Sequence, residues 1–182
     1  MGTWFERYEL DETIQNKLKF EVLWDMKPKE QHEIIIFGKR QKVPRLQKAL
    51  GRNYKFSGTI SESEDIPDFL QNVLQYFSNK YNYNFNMVLI NWYRDGNDYI
   101  GFHSDDEPEI VENSPVITIS LGATRDFILE NKKTKEKNTY ILKNFEVLVM
   151  GGTCQKTHKH CLPKRKKVLD PRISITIRAF KT

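Results

Sequence analysis

The stretch RISITIR, residues 172–178, decides the fold class of this chain. Isoleucine occupies every second position, and Arg, Ser, Thr and Arg occupy the others. In a β-strand this alternation places the isoleucines on one face and the polar side chains on the opposite face. The isoleucine face predicts a buried core, whereas the polar face is either solvated or lines a cavity.

Short runs of the same kind recur along the rest of the chain. They lie at 33–38, 86–93, 98–103, 115–122, 125–130, 139–143 and 145–150. One strong amphipathic helix is predicted from Ile66 to Phe77, where apolar residues are spaced three and four apart. Many short strands separated by turns predict a mainly β sandwich or barrel with the helix packed outside.

Length and composition limit the class of protein. A chain of 182 residues has room for one domain and a sizeable core. No apolar run reaches the length of a membrane span, and the first residues do not form a secretory signal. Two cysteines make no disulfide framework. We therefore expect an intracellular monomer with no membrane partner.

Two basic segments indicate a polyanionic partner. Residues 39–55 contain seven Lys or Arg and no acid, and residues 156–182 contain nine against one acid. Clustered cations of this kind, with aromatic residues nearby, favour nucleic acid. Two solvated surfaces are the alternative interpretation.

Three residues could bind a metal. His103 and Asp105 end a predicted strand, so their side chains point to the same side, and His160 follows much later in the chain. Two His and one carboxylate form the facial triad of non-heme Fe(II) oxygenases, and they would also suit a catalytic zinc. A solvated His-x-Asp turn is the simpler alternative.

The polar face of 172–178 favours iron. Arg172 and Arg178 need anions if that face lines a cavity, and a small dicarboxylate can bind each guanidinium bidentately. A metal triad with such an arginine pair is typical of iron with 2-oxoglutarate.

The sequence resembles the AlkB family of Fe(II)- and 2-oxoglutarate-dependent nucleic-acid dealkylases, and it is most similar to the branch that repairs double-stranded DNA. The resemblance covers about residues 35–180. It rests on IIIFGKRQKVPR (34–45), YKFSG (54–58), FNMVLINWYRDGNDYIGFHSDDE (85–107), SPVITISLGATRDF (114–127) and HCLPKRKKVLDPRISITIR (160–178).

The resemblance implies a double-stranded β-helix (jelly-roll) dioxygenase core in which His103, Asp105 and His160 bind Fe(II). His158 is the less favoured third ligand, because the family's ligand stands three residues before a Pro. The implied 2-oxoglutarate contacts are Asn91, Tyr93, Arg172, Thr176 and Arg178. Ser174 departs from the family, which commonly has Asn there, and O2 is the remaining cosubstrate.

The resemblance also implies a substrate side. Tyr54 and Phe56 would line the base pocket, with Phe56 and His103 on opposite faces of a flipped base. Asp106 and Glu107 would lie near the base edge, although a solvated acidic turn is the other interpretation. Phe37 would enter the duplex as a wedge, although the run alone suggests core. Arg40 and Lys42 would bind the backbone.

The implied function is oxidative demethylation of 1-methyladenine and 3-methylcytosine in DNA, with duplex preferred. It would release formaldehyde, succinate and CO2, at the cell's DNA compartment (the nucleus in a eukaryote). About residues 1–60 would form an extension and a nucleotide-recognition lid, and about 61–182 the helix and the core. The alternatives are RNA or single-stranded DNA as substrate, a non-catalytic nucleic-acid-binding module, and a protein hydroxylase.

Overall fold

A computed structural model describes residues 2–182, which fold into fourteen strands and four helices. In chain order these are β1 (Thr3–Glu9), α1 (Glu12–Gln15), α2 (Phe20–Asp25), β2 (Glu33–Ile36), β3 (Lys39–Lys42), β4 (Leu46–Leu50), β5 (Tyr54–Phe56), β6 (Thr59–Ser61), α3 (Asp68–Tyr81), β7 (Met87–Tyr93), β8 (Ile100–His103), β9 (Val116–Gly122), β10 (Arg125–Asn131), β11 (Lys137–Leu142), β12 (Glu146–Gly152), α4 (Cys154–Thr157), β13 (His158–Leu162) and β14 (Arg172–Arg178).

The strands form two main antiparallel sheets. The larger sheet has the order β1-β12-β9-β14-β7-β4, and the smaller has the order β11-β10-β13-β8. The strands β2–β3 and β5–β6 form two separate hairpins. The predicted mainly β fold with flanking helices is confirmed.

The main core lies on one face of the larger sheet. The three isoleucines of β14 are fully buried there, as the alternation predicted. The apolar face of α3, including Leu70 and Phe77, belongs to the same core cluster. The helix ends at Asn82, whose left-handed backbone stops the α-helical hydrogen bonding.

Two strands from the N-terminal third of the chain, β1 and β4, belong to the larger sheet. The edge strand β1 pairs with β12 over its whole length, and β4 pairs with β7. The larger sheet thus contains strands from both sides of the predicted division near residue 60. The two short hairpins lie within the predicted lid region.

The β2–β3 hairpin carries an apolar tip. The predicted strand at 33–38 ends in a turn at Phe37 and Gly38, which both have positive φ, and the chain returns as β3. Two left-handed residues match the right-handed twist of a tight hairpin. The side chain of Phe37 is 101% exposed, so the interpretation of Phe37 as core is wrong.

Among residues 2–182, no helix is long and apolar enough to cross a membrane.

Candidate active site

A cavity lies between the two sheets, and the polar face of β14 forms part of its wall. Arg172 and Arg178 line it and are only 1% and 2% exposed. The same cavity is bordered by Asn91, Tyr93 and Thr176 and by the three predicted metal ligands. The structure therefore shows that the polar face of this strand lines a cavity and is not a solvated surface.

The smaller sheet brings the three predicted metal ligands together. In the pairing of β13 with β8, His160 lies directly opposite His103, and Asp105 follows the end of β8. One ligand atom from each residue lies within 4.8 Å of the others. Asp105 Oδ1 is 3.5 Å from His103 Nε2, and its Oδ2 is 3.8 Å from His160 Nε2. His158 lies outside this cluster and packs edge-on against Phe5.

Burial and neighbouring charges together set the charge of these groups. Burial lowers the pKa of His160 to about 3, so its imidazole is neutral at pH 7 and available as a ligand. Burial alone would raise the pKa of Asp105, but the Arg178 guanidinium together with His103 and His160 outweighs it and holds the pKa well below its usual range. A neutral imidazole and an ionised carboxylate are the forms that bind a divalent metal.

Hydrogen bonds fix the orientation of the predicted ligands. The Asp105 N–H donates to Gln155 Oε1 at 2.8 Å, and Ser104 Oγ donates to the His158 carbonyl at 2.8 Å. His103 Nδ1 lies 2.9 Å from the Gly101 carbonyl. Since a carbonyl only accepts, Nδ1 carries the proton and Nε2 is left free for a metal.

The two arginines have different partners. Arg178 lies 2.9 Å from Asp105 Oδ1 and 3.1 Å from Glu107 Oε1. Arg172 donates to Ser120 Oγ at 2.7 Å and lies 5.4 Å from the centre of the Tyr93 ring, but its Nε has no partner within residues 2–182. Burial lowers the pKa of Arg172 to about 10, so it remains a cation at neutral pH. A buried cation of this kind requires an anion.

These residues fit a metal and a small dicarboxylate. The His-Asp-His set supplies three ligands on one side of an ion and leaves other positions open. The unpartnered Nε of Arg172 and the polar row along β14 face the same cavity.

The family model of the 2OG-Fe(II) oxygenase superfamily matches the sequence over residues 4–178. The chain belongs to this superfamily. The predicted cofactors, Fe(II) and 2-oxoglutarate with O2, and the predicted dioxygenase class are confirmed at the level of the family.

Curated relatives narrow the similarity within the superfamily. Human DNA oxidative demethylase ALKBH2 is 39% identical over 157 residues, which cover 80% of this chain and 60% of that protein. Mouse alpha-ketoglutarate-dependent dioxygenase alkB homolog 3 is 36% identical over 103 residues, or 52% of this chain and 36% of that protein. The chain thus spans less than two thirds of the length of either relative. This similarity supports the AlkB resemblance.

Solved structures support the fold. The structure of OsALKBH1 superposes with a TM-score of 0.64 at 14% identity and covers 97% of both chains. A 2OG-Fe(II) oxygenase family oxidoreductase from Burkholderia pseudomallei gives a TM-score of 0.60 at 15% identity, over 97% of this chain and 84% of that one. The predicted jelly-roll core agrees with both.

A cleft of about 600 Å³ reaches the surface beside His103, one of the predicted metal ligands. The predicted substrate residues Tyr54, Phe56, Asp106, Glu107 and Lys42 border it, as does His103. The rings of Tyr54 and Phe56 stack with their centres 5.5 Å apart. Tyr54 and His103 also line the cavity between the two sheets, here called the inner cavity. The cleft and the inner cavity therefore meet at the triad.

Three predicted substrate residues sit differently from the rest. Phe37 and Arg40 lie on the β2–β3 hairpin and are not among the described residues that border the cleft. Arg40 is highly exposed, and Glu33 Oε2 lies 3.9 Å from it. The carboxylate of Glu107 is turned inward against Arg178, whereas Asp106 is exposed.

Several residues of the site carried no clear signal in the sequence. Phe127 stacks on His160 with ring centres 5.1 Å apart, and Gln155 holds the Asp105 backbone. Arg45 donates from Nε to Asn91 Oδ1 at 3.2 Å and so orients that amide. Gln47 was also missed, although a glutamine inside the apolar run LQKAL (46–50) was a usable signal.

Proposed function

We propose that this chain removes methyl groups from N-methylated bases in DNA by oxidation, with duplex DNA as the preferred substrate. One observation carries the proposal: an aromatic-lined cleft opens onto a His-Asp-His triad, and an exposed apolar hairpin tip lies on the same chain. The similarity to a DNA oxidative demethylase supports it.

When bound, Fe(II) with 2-oxoglutarate and O2 supplies the oxidation, which converts an N-methyl group to formaldehyde and 2-oxoglutarate to succinate and CO2. In our proposal His103, Asp105 and His160 hold the metal. Arg172 binds the distal carboxylate of 2-oxoglutarate, and Arg178 lies at the end nearest the metal. Asn91, Tyr93 and Thr176 provide polar contacts from the same cavity wall.

The cleft would receive the flipped base. Phe56 supplies an aromatic face that replaces the stacking lost when a base leaves the duplex. Burial of Tyr54 raises its pKa to about 12, so its hydroxyl stays protonated and can donate a hydrogen bond at the cleft. Glu107 is held by Arg178, and burial raises its pKa although Arg178 opposes this. Glu107 would lie near the base edge as part of this ion pair, and the exposed Asp106 would contact the base edge directly.

The two hairpins would form the nucleotide-recognition lid. Residues from both β2–β3 and β5–β6 border the cleft, among them Ile36, Lys42, Tyr54 and Phe56. The exposed cations of β3, Arg40 and Lys42, would contact phosphates beside the wedge Phe37. The protein would act as a monomer at the compartment that holds the DNA.

Formaldehyde release from oligonucleotides with a single 1-methyladenine or 3-methylcytosine tests the proposal. We expect turnover on duplex DNA that requires Fe(II) and 2-oxoglutarate. Turnover confined to RNA or to single strands would show that the substrate is RNA or single-stranded DNA and not duplex DNA. DNA binding without 2-oxoglutarate turnover would indicate a non-catalytic module.

A further inference from the structure

Gln47 is a buried polar residue of the inner cavity to which the AlkB resemblance gives no role. It is the second residue of β4 and is 2% exposed. Its amide nitrogen Nε2 has no hydrogen-bond partner within residues 2–182. A buried donor without a partner costs about 1–3 kcal/mol, so such a group in a binding cavity indicates a ligand acceptor.

The sheet register places Gln47 in a polar row that crosses the cavity wall. Gln47 is directly opposite Asn91, which is opposite Ser174, which is opposite Ser120. Side chains that are paired in register point to the same face of a sheet. Gln47, Asn91 and Ser174 all line the inner cavity with Arg172 and Arg178.

The position of Gln47 indicates which ligand it would bind. Gln47 borders the inner cavity but, among the described residues, is absent from the wall of the cleft that would receive a base. The arginines make the inner cavity a site for a dicarboxylate, and an amide N–H adds a neutral donor to its carboxylate or ketone oxygens.

We propose that Gln47 is a further 2-oxoglutarate-binding residue, which donates a side-chain N–H to an oxygen of the cosubstrate. The contact satisfies an amide that otherwise has no partner in the cavity. The inference rests on the oxygenase chemistry of the family and is independent of the nucleic-acid substrate.

The test measures 2-oxoglutarate binding by calorimetry with Mn(II) in place of Fe(II) and without nucleic acid. Gln47→Met keeps the length of the side chain and removes the donor. We expect about tenfold weaker binding of 2-oxoglutarate, equivalent to about 1.4 kcal/mol, with unchanged Mn(II) affinity. Gln75→Met, on the exposed surface of α3, is the matched control and should bind both as wild type does.

Thermal unfolding gives a second readout that a purely structural role would not produce. Gln47→Met removes an unsatisfied buried amide, so the ligand-free variant should be at least as stable as wild type. The rise in Tm on adding 2-oxoglutarate should nevertheless be smaller, because that rise depends on affinity.

Gln47→Glu sharpens the result and replaces the Met variant if that variant fails to fold. A carboxylate in this position repels the dicarboxylate, so binding should weaken by more than in Gln47→Met. Wild-type affinity for 2-oxoglutarate in both variants would overturn the proposal, and so would a parallel loss of Mn(II) affinity, which indicates a deformed site. A wild-type protein that binds 2-oxoglutarate but leaves methylated DNA intact would refute the DNA proposal and not this one.

Discussion

Truncation of Phe37 to alanine tests whether the hairpin tip is a wedge for duplex DNA. The side chain is fully exposed, so its removal should leave the free energy of unfolding unchanged within about 0.5 kcal/mol. If roughly 100 Å² of the ring enters the base stack, the lost burial is about 2.5 kcal/mol at about 25 cal/mol per Å². This is comparable to the few kcal/mol needed to unstack a base. A loss of about 1.4 kcal/mol already gives a tenfold lower rate.

We therefore expect Phe37→Ala to lower kcat/KM on a methylated duplex by more than tenfold and to change it much less on the same lesion in single-stranded DNA. The assay is formaldehyde release from the two matched oligonucleotides. Phe56→Ala should impair both substrates, because both need a stacking face in the cleft. Val22→Ala, at another exposed apolar side chain, should impair neither.

Equal loss on duplex and single strand would refute the wedge, since a side chain that fills the vacated gap helps only where a gap forms. A fall in Tm for Phe37→Ala would contradict its full exposure.

Three further predictions concern the metal, the cosubstrate and the nucleic acid. Asp105→Ala should abolish succinate formation while the protein stays folded, and retained turnover would exclude Asp105 as a metal ligand. Arg172→Ala should raise the KM for 2-oxoglutarate at least tenfold, because a hydrogen bond to a charged group is worth about 1.5–3 kcal/mol; Arg172→Lys should rescue it only in part, since lysine lacks the planar fork. Replacing Arg40 and Lys42 by alanine should reduce the slope of log affinity for duplex DNA against log salt by about 2 at most, and a wild-type slope near zero would mean that the basic segments are solvated surfaces.

The strand pattern of the core could be predicted from the sequence because alternation reports directly on one-sided burial. The run at 172–178 is fully buried, and its polar half faces the cavity that the paired arginines suggested. The His-Asp-His grouping was predictable for a similar reason: a strand end fixes which side chains share a side.

Other features depend on long-range pairing, which a sequence pattern does not contain. The strand β1 is a half-exposed edge strand with weak alternation, and it is placed by pairing with β12, near the other end of the chain. The inward turn of Glu107 depends on Arg178, 71 residues later. The role of Gln155 likewise depends on a contact with Asp105 across 50 residues.

The β2–β3 hairpin has a consequence for solubility. Ile35 and Phe37 present apolar surface to water on a two-stranded hairpin, an arrangement that favours edge-to-edge association. The partner strand β3 is exposed along its whole length and reads Lys-Arg-Gln-Lys. Positive charges beside an apolar segment keep identical copies apart. The same cations that would attract a phosphate backbone would thus also stop the free protein from joining tip to tip, and neutralising them should lower the concentration at which it aggregates.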